Sequence, residues 1–188
     1  MKLLINFVAF QLGWFACVLG AANGLPWLGP VVVATAVALH LATARAPLPE
    51  LYLVLAAMTV GLVADSVLLA TGWLSYPVGL WLPGLAPYWI IAMWALFATT
   101  LNVSMGWMRG RPLLTVLMGA VGGPLSYLAG EKLGAIELTQ PVPALAALAL
   151  AWAIAMPLLM WLAARFDGIR EKRIPEFVQR DWRVVGDA

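Results

Sequence analysis

Six apolar runs, with nearly all of the basic charge confined to alternate breaks between them, constrain this chain more than any other feature. The runs occupy about 5–22, 28–44, 51–72, 86–107, 112–130 and 143–164. Most reach the ~17–25 residues that a helix needs to cross a ~30 Å hydrocarbon core. Lys2, Arg45, Arg109, Arg111, Arg165, Arg170, Lys172, Arg173, Arg180 and Arg183 fall on one side of that pattern, and Lys132 alone on the other. Loops that stay in the cytoplasm retain Lys and Arg, so the pattern predicts a multi-pass protein with both termini cytoplasmic. The predicted fold class is all-α: a compact bundle of six transmembrane helices over 1–164, then a cytoplasmic mixed-charge tail over 165–188.

A chain of 188 residues that is 63% hydrophobic has no room for a separate soluble domain beside six spans. Its net charge of +2 reflects topology, so no nucleic-acid partner is expected. Cys17 is the one cysteine, which excludes an intrachain disulfide and a Cys-based metal cage. The start, MKLLINFVAF, has the look of a signal peptide, and cleavage would make Cys17 an acylated residue. Trp14 and Phe15 are too bulky for the small-residue site such processing uses, and Asn6 and Gln11 interrupt the apolar run.

Tryptophans support the same spans. Trp27, Trp73, Trp81 and Trp89 cluster at the predicted outer ends, and Trp107 and Trp161 near inner ends, where amphipathic rings meet headgroups. Between the third and fourth runs, WLSYPVGLWLPGLAPYW (73–89) is uncharged and broken by prolines and glycines, so it cannot be helical throughout. It reads either as a connector lying on the outer leaflet or as a re-entrant lid over a cavity. In the tail, Ile169, Arg170, Arg173, Phe177 and Arg180 suit an amphipathic turn, although Pro175 forbids one unbroken helix. Its arginines would touch anionic headgroups, with Trp182 at the interface.

Three runs carry ridges of small residues at spacings of three and four: Gly13, Cys17, Gly20 and Gly24; Ala57, Gly61 and Asp65; Gly119, Gly123, Ser126, Gly130 and Gly134. Such ridges let backbones approach closely, which places the first, third and fifth spans at the centre of the predicted bundle. Pro124, next to Gly122–Gly123, predicts a kink in the fifth, read as a packing feature before a hinge.

Asp65 is the one formal charge well inside a run, ~20 Å from the cytoplasmic end at ~1.5 Å per residue. An intramembrane carboxylate needs a partner, and is either a ligand or proton site or a structural tie between helices. Asn23, Ser126 and Tyr127 share its depth, and Lys132 could reach down from the outer surface. A second set, Asn6, Gln11, His40, Thr99 and Asn102, with Thr59, forms a predicted polar cluster in the inner half. Hydrogen bonds of this kind commonly serve assembly. His40 lies ~15 Å from the level of Asp65, too far to pair with it. Glu131 and Lys132 end the fifth run as adjacent opposite charges. No HExxH, GxSxG, Cys/His metal spacing or phosphate-cradling loop is present, so no catalytic residue, metal or cofactor is assigned.

QLGWFACVLGAANGLPWLGP (11–30), LVADSVLL (62–69), WALFATTLN (94–102) and GAVGGPLSYLAGEKLGA (119–135) resemble a family of small bacterial inner-membrane proteins classed as a domain of unknown function. The resemblance covers most of 5–165. It implies a bacterial inner-membrane location and a genomic setting near fatty-acid-modification genes, and it assigns no site residue. A vaguer, architectural likeness is to the substrate-binding subunits of energy-coupling-factor vitamin importers. The expected function is therefore lipid handling, or an accessory role in membrane fatty-acid modification. Membrane lipids are the expected partners, with a possible protein partner at the cytoplasmic loops and tail. The alternatives are a solute-binding transport subunit built on Asp65 and, third, an intramembrane enzyme.

Overall fold

A computed structural model describes residues 1–170. They form six helices: α1 (Lys2–Ala22), α2 (Leu28–Thr43), α3 (Pro47–Ala70), α4 (Tyr88–Leu101), α5 (Pro112–Lys132) and α6 (Pro141–Arg165), with one 3-10 turn at Gly106–Met108. The described residues contain no strand, only an antiparallel bridge between Ser75 and Glu137. Four helices, α1, α3, α5 and α6, are long and apolar enough to cross a membrane. The other two are shorter. With 16 residues in α2 and 14 in α4, they rise ~24 and ~21 Å at ~1.5 Å per residue. The amphipathic turn predicted from Ile169 to Arg180 lies, beyond Arg170, outside the described residues, as does Trp182.

The fourth apolar run does not become one long helix. It stops at Leu101, because the chain spends Asn102 on side-chain bonds to other segments and turns back through Met105 N–H to the Thr100 carbonyl, 2.9 Å. The third run starts earlier than its hydropathy suggests. Pro47 opens α3 at a position where a missing N–H costs nothing, which draws Glu50 into the first helical turn.

Nor do the small-residue spans form the centre. That place belongs to α4, which packs against α1, α2, α3 and α6 and is buried almost continuously from Trp89 to Leu101. Some of the small residues do let backbones meet, as Cys17 of α1 does with Gly29 of α2 and Gly119 of α5 with the Trp152 carbonyl, and others are recesses that receive large side chains. Gly13 of α1 faces Leu96, and Gly61 of α3 faces the Trp94 indole. Gly119 and Gly123 of α5 face Trp152 of α6. A β-carbon at Gly61 or Gly123 would overlap those rings, so glycine there is a packing requirement. Trp94 and Trp152 stack with centroids 4.6 Å apart and planes 13° from parallel. A continuous sandwich of Gly61, Trp94, Trp152 and Gly123 thus crosses the protein from α3 to α5. Pro124 sits inside an unbroken α5 beside this contact.

The two ends differ. One, the basic end, carries the starts of α1, α3 and α5. Across the other runs the connector 71–87, whose Leu74 and Tyr76 are buried while Leu80, Trp81 and Leu82 are exposed. Ser75 exchanges both backbone bonds with Glu137, and Gln140 N–H bonds the Trp73 carbonyl, which ties the connector to the α5–α6 loop. Trp89 donates to the Val78 carbonyl at 3.2 Å, and Ser66 accepts the Ala86 N–H at 2.9 Å.

Candidate functional site

Helical spacing puts Gly61 and Asp65 one turn apart on the same face of α3. The Trp94 ring lies over the glycine, and its Nε1 donates to Asp65 Oδ2 at 2.7 Å. Oδ1 accepts from Tyr76 at 2.9 Å and from the Tyr127 hydroxyl. Asp65 is fully enclosed, and no cation among the described residues bonds to it. Two phenol hydroxyls and an indole N–H, all neutral, thus engage both oxygens of the carboxyl group. Of the residues predicted to accompany Asp65, the structure brings Tyr127 to it. Ser126 instead accepts the Trp14 indole N–H at 3.1 Å, and Asn23 closes α1 on the exposed Leu19 carbonyl at 2.8 Å. Lys132 is exposed. Tyr76 and Trp94 escaped the sequence reading. One sits in a connector and the other lies unremarked within the fourth apolar run.

The basic end holds a second buried carboxylate that the sequence reading passed over. Glu50 is 1% exposed. His40 Nε2 lies 2.8 Å from its Oε2, while Asn102 Nδ2 and the Gly168 N–H each approach Oε1 at 2.8 Å. Asn102 Oδ1 accepts from Arg109 at 2.5 Å, and Arg109 pairs with Asp167 at 2.7 Å. A chain of polar contacts therefore joins α2, α3, the end of α4, the turn after it and the segment leaving α6. Gly168 O also accepts the Ala46 N–H at 3.0 Å, and a β-carbon at Gly168 would meet the Ala46 carbonyl. Burial would raise the Asp167 carboxyl, yet the Arg170 N–H, the Arg109 guanidinium and the Ile169 N–H together hold it below the usual carboxylate range.

The predicted inner cluster is thus only partly one cluster. His40 and Asn102 meet on Glu50. Asn6 donates to the Thr99 carbonyl at 3.0 Å, with its own Oδ1 left without a partner. The Thr99 hydroxyl turns back to Leu96 O, and the exposed Thr59 to Leu55 O. Gln11 stands apart from all of these.

Gln11 lines a cleft of about 400 Å³ between α1 and α5. Phe10, Gln11 and Trp14 of α1 form one wall, and Met118, Gly122 and Ser126 of α5 the other. Phe97 and Trp152 floor it, and Met105, Met108 and Met156 add to the lining. Exposed Met118, Gly122 and Leu125 leave its side open, and α1 and α5 pack chiefly on other neighbours. The Trp14–Ser126 bond crosses from α1 to α5 between this cleft and a smaller cavity of about 60 Å³. That cavity is bounded by Trp94, Tyr127 and Ile136 toward the connector end. Trp94 and Tyr127 are both held by Asp65, so the carboxylate sets the wall of the small cavity without lining it.

Residues 3–158 match the model of a family described as a protein of unknown function (DUF2878). The chain belongs to that family. No curated protein and no solved structure matches it. The matched stretch contains Asp65 and its three donors, the whole cleft, and Glu50 with His40, Asn102 and Arg109. Asp167 and Gly168 lie past its end.

Proposed function

We propose that this DUF2878 protein handles lipid: it crosses the bacterial inner membrane six times with both termini cytoplasmic, and its α1–α5 cleft holds a phospholipid acyl chain. The cleft carries this reading. Its volume falls in the ~300–1,000 Å³ range of ligand sites. Its walls are aromatic and methionine-rich, a lining that adapts to flexible apolar chains. It opens sideways, where a membrane would present hydrocarbon. The Trp14–Ser126 bond closes it toward the connector end, so a chain enters from the basic end. Lys2 and Arg111, at the starts of the helices on either side, are exposed and form no ion pair among the described residues. They suit the phosphate of a cytoplasmic-leaflet lipid. The short α2 and α4 fit six spans if the bilayer thins locally or the helices are flanked by polar loops.

An accessory role in fatty-acid modification follows from the same site, because a held chain is presented away from bulk lipid. The transport reading needs ligand access to Asp65, whose oxygens are already taken by Tyr76, Trp94 and Tyr127. Gly122 supplies the test. A β-carbon there meets nothing within 4 Å, so Gly122→Leu places a larger side chain at the cleft wall and narrows it. Native mass spectrometry of protein released from nanodiscs should show a retained phosphatidylglycerol in the parent and its loss in Gly122→Leu. Equal retention by the two would end the proposal.

A further inference from the structure

Gln11 makes no hydrogen bond among the described residues, and its amide is not one of the enclosed orphan groups, so it reaches open space at the cleft. It lies 9 residues along α1 from Lys2, ~14 Å at ~1.5 Å per residue, near the middle of a ~30 Å core. An amide at that depth without a partner is costly, because hydrocarbon supplies neither donor nor acceptor. Ser126 stands at nearly the same level, since it bonds Trp14, one helical turn on from Gln11. Its oxygen accepts the indole N–H, and its own proton goes to no acceptor among the described residues. Two polar groups with spare hydrogen-bonding capacity therefore face one otherwise apolar cleft, half a membrane away from any headgroup oxygen.

We infer that the acyl chain held in the cleft carries an oxygen function part-way along its length, a hydroxyl or oxo group that Gln11 and Ser126 bind. This rests on the lipid reading of the cleft and adds to it the chemistry of the chain. The carboxamide can donate to an oxo group, or donate to and accept from a hydroxyl. The Ser126 proton provides a second donor to either.

The experiment uses the full chain in nanodiscs doped with equal amounts of two phosphatidylglycerols, one with a stearoyl chain and one with a mid-chain hydroxystearoyl chain. Retained lipid is read by native mass spectrometry. The parent should prefer the hydroxylated lipid by roughly three- to tenfold, the value of about one net hydrogen bond. Gln11→Leu, an apolar change on an apolar helix, should bind both lipids about equally while still retaining lipid. Equal retention of the two lipids by the parent overturns the inference and leaves the lipid cleft standing. Preference that survives in Gln11→Leu also overturns it, by removing Gln11 from recognition. Failure of the parent to retain either lipid overturns both the inference and the reading beneath it.

Discussion

Two buried carboxylates, one near each end of the protein, are satisfied in opposite ways. Asp65 meets only neutral donors, the hydroxyls of Tyr76 and Tyr127 and the Trp94 indole, and every one comes from a large aromatic that also fills the core. Glu50 meets an imidazole, an amide and a backbone N–H, and is linked through Asn102 to the Arg109–Asp167 pair. The first arrangement fixes ring orientation within the bundle. The second fastens loops and helix ends together where charges and water are near. One acid organises packing, and the other organises connectivity.

The comparison breaks most visibly at Glu50. Glu50→Ala leaves His40 and the Gly168 N–H without their buried partner and leaves Asn102 Nδ2 only the Phe166 carbonyl; it should cost about 3–5 kcal/mol, read as the loss of unfolding free energy in detergent. Asp65→Asn keeps one acceptor but turns an NH₂ toward a donor. It should cost about 1–3 kcal/mol in the same assay. Adding Tyr76→Phe and Tyr127→Phe to Asp65→Leu should recover part of the loss, because both sides of those bonds are then apolar. No comparable rescue is expected at Glu50, where a backbone N–H remains; a rescue there would erase the distinction. Ser126→Ala removes the bond that divides the cleft from the small cavity and should cost only about 0.6–1.7 kcal/mol. It should also let the cleft retain longer chains.

The smallest effect is one of pH. The folded state holds Asp167 below its ordinary range, so the Arg109–Asp167 contact contributes fully above the unfolded value of ~3.9. That contribution disappears as pH falls through the depressed folded value. Acid unfolding between neutral pH and about 4 should therefore leave it intact. Asp167→Asn should remove only the steepest acid limb, an amount below ~1 kcal/mol for a partly exposed pair.

The helical architecture was legible because apolar runs mark helices plainly in sequence. Asp65 was legible as a lone charge in such a run, and Tyr127 by its depth. Trp94 was not, since hydropathy does not distinguish an indole that packs from one that also donates. Tyr76 lay in a connector, where periodicity says nothing. Glu50 was missed because the third run was started at Leu51. The Pro47–Leu48–Pro49–Glu50 string was the available signal, a proline-led first turn with an acid in it. Small residues were correctly seen as sites of close approach, but the pattern does not tell a central helix from the recess that receives its side chains. The burial of α4 emerges only when the six helices are assembled.

The stacked pair of Trp94 and Trp152 has a further consequence. Two nearly parallel indoles 4.6 Å apart share their excited states. Such a pair is expected to add an exciton-coupled circular-dichroism feature, which Trp152→Phe would remove. Trp152 borders both the cleft and the small cavity, so any occupant that tilts its ring will alter that signal without a label.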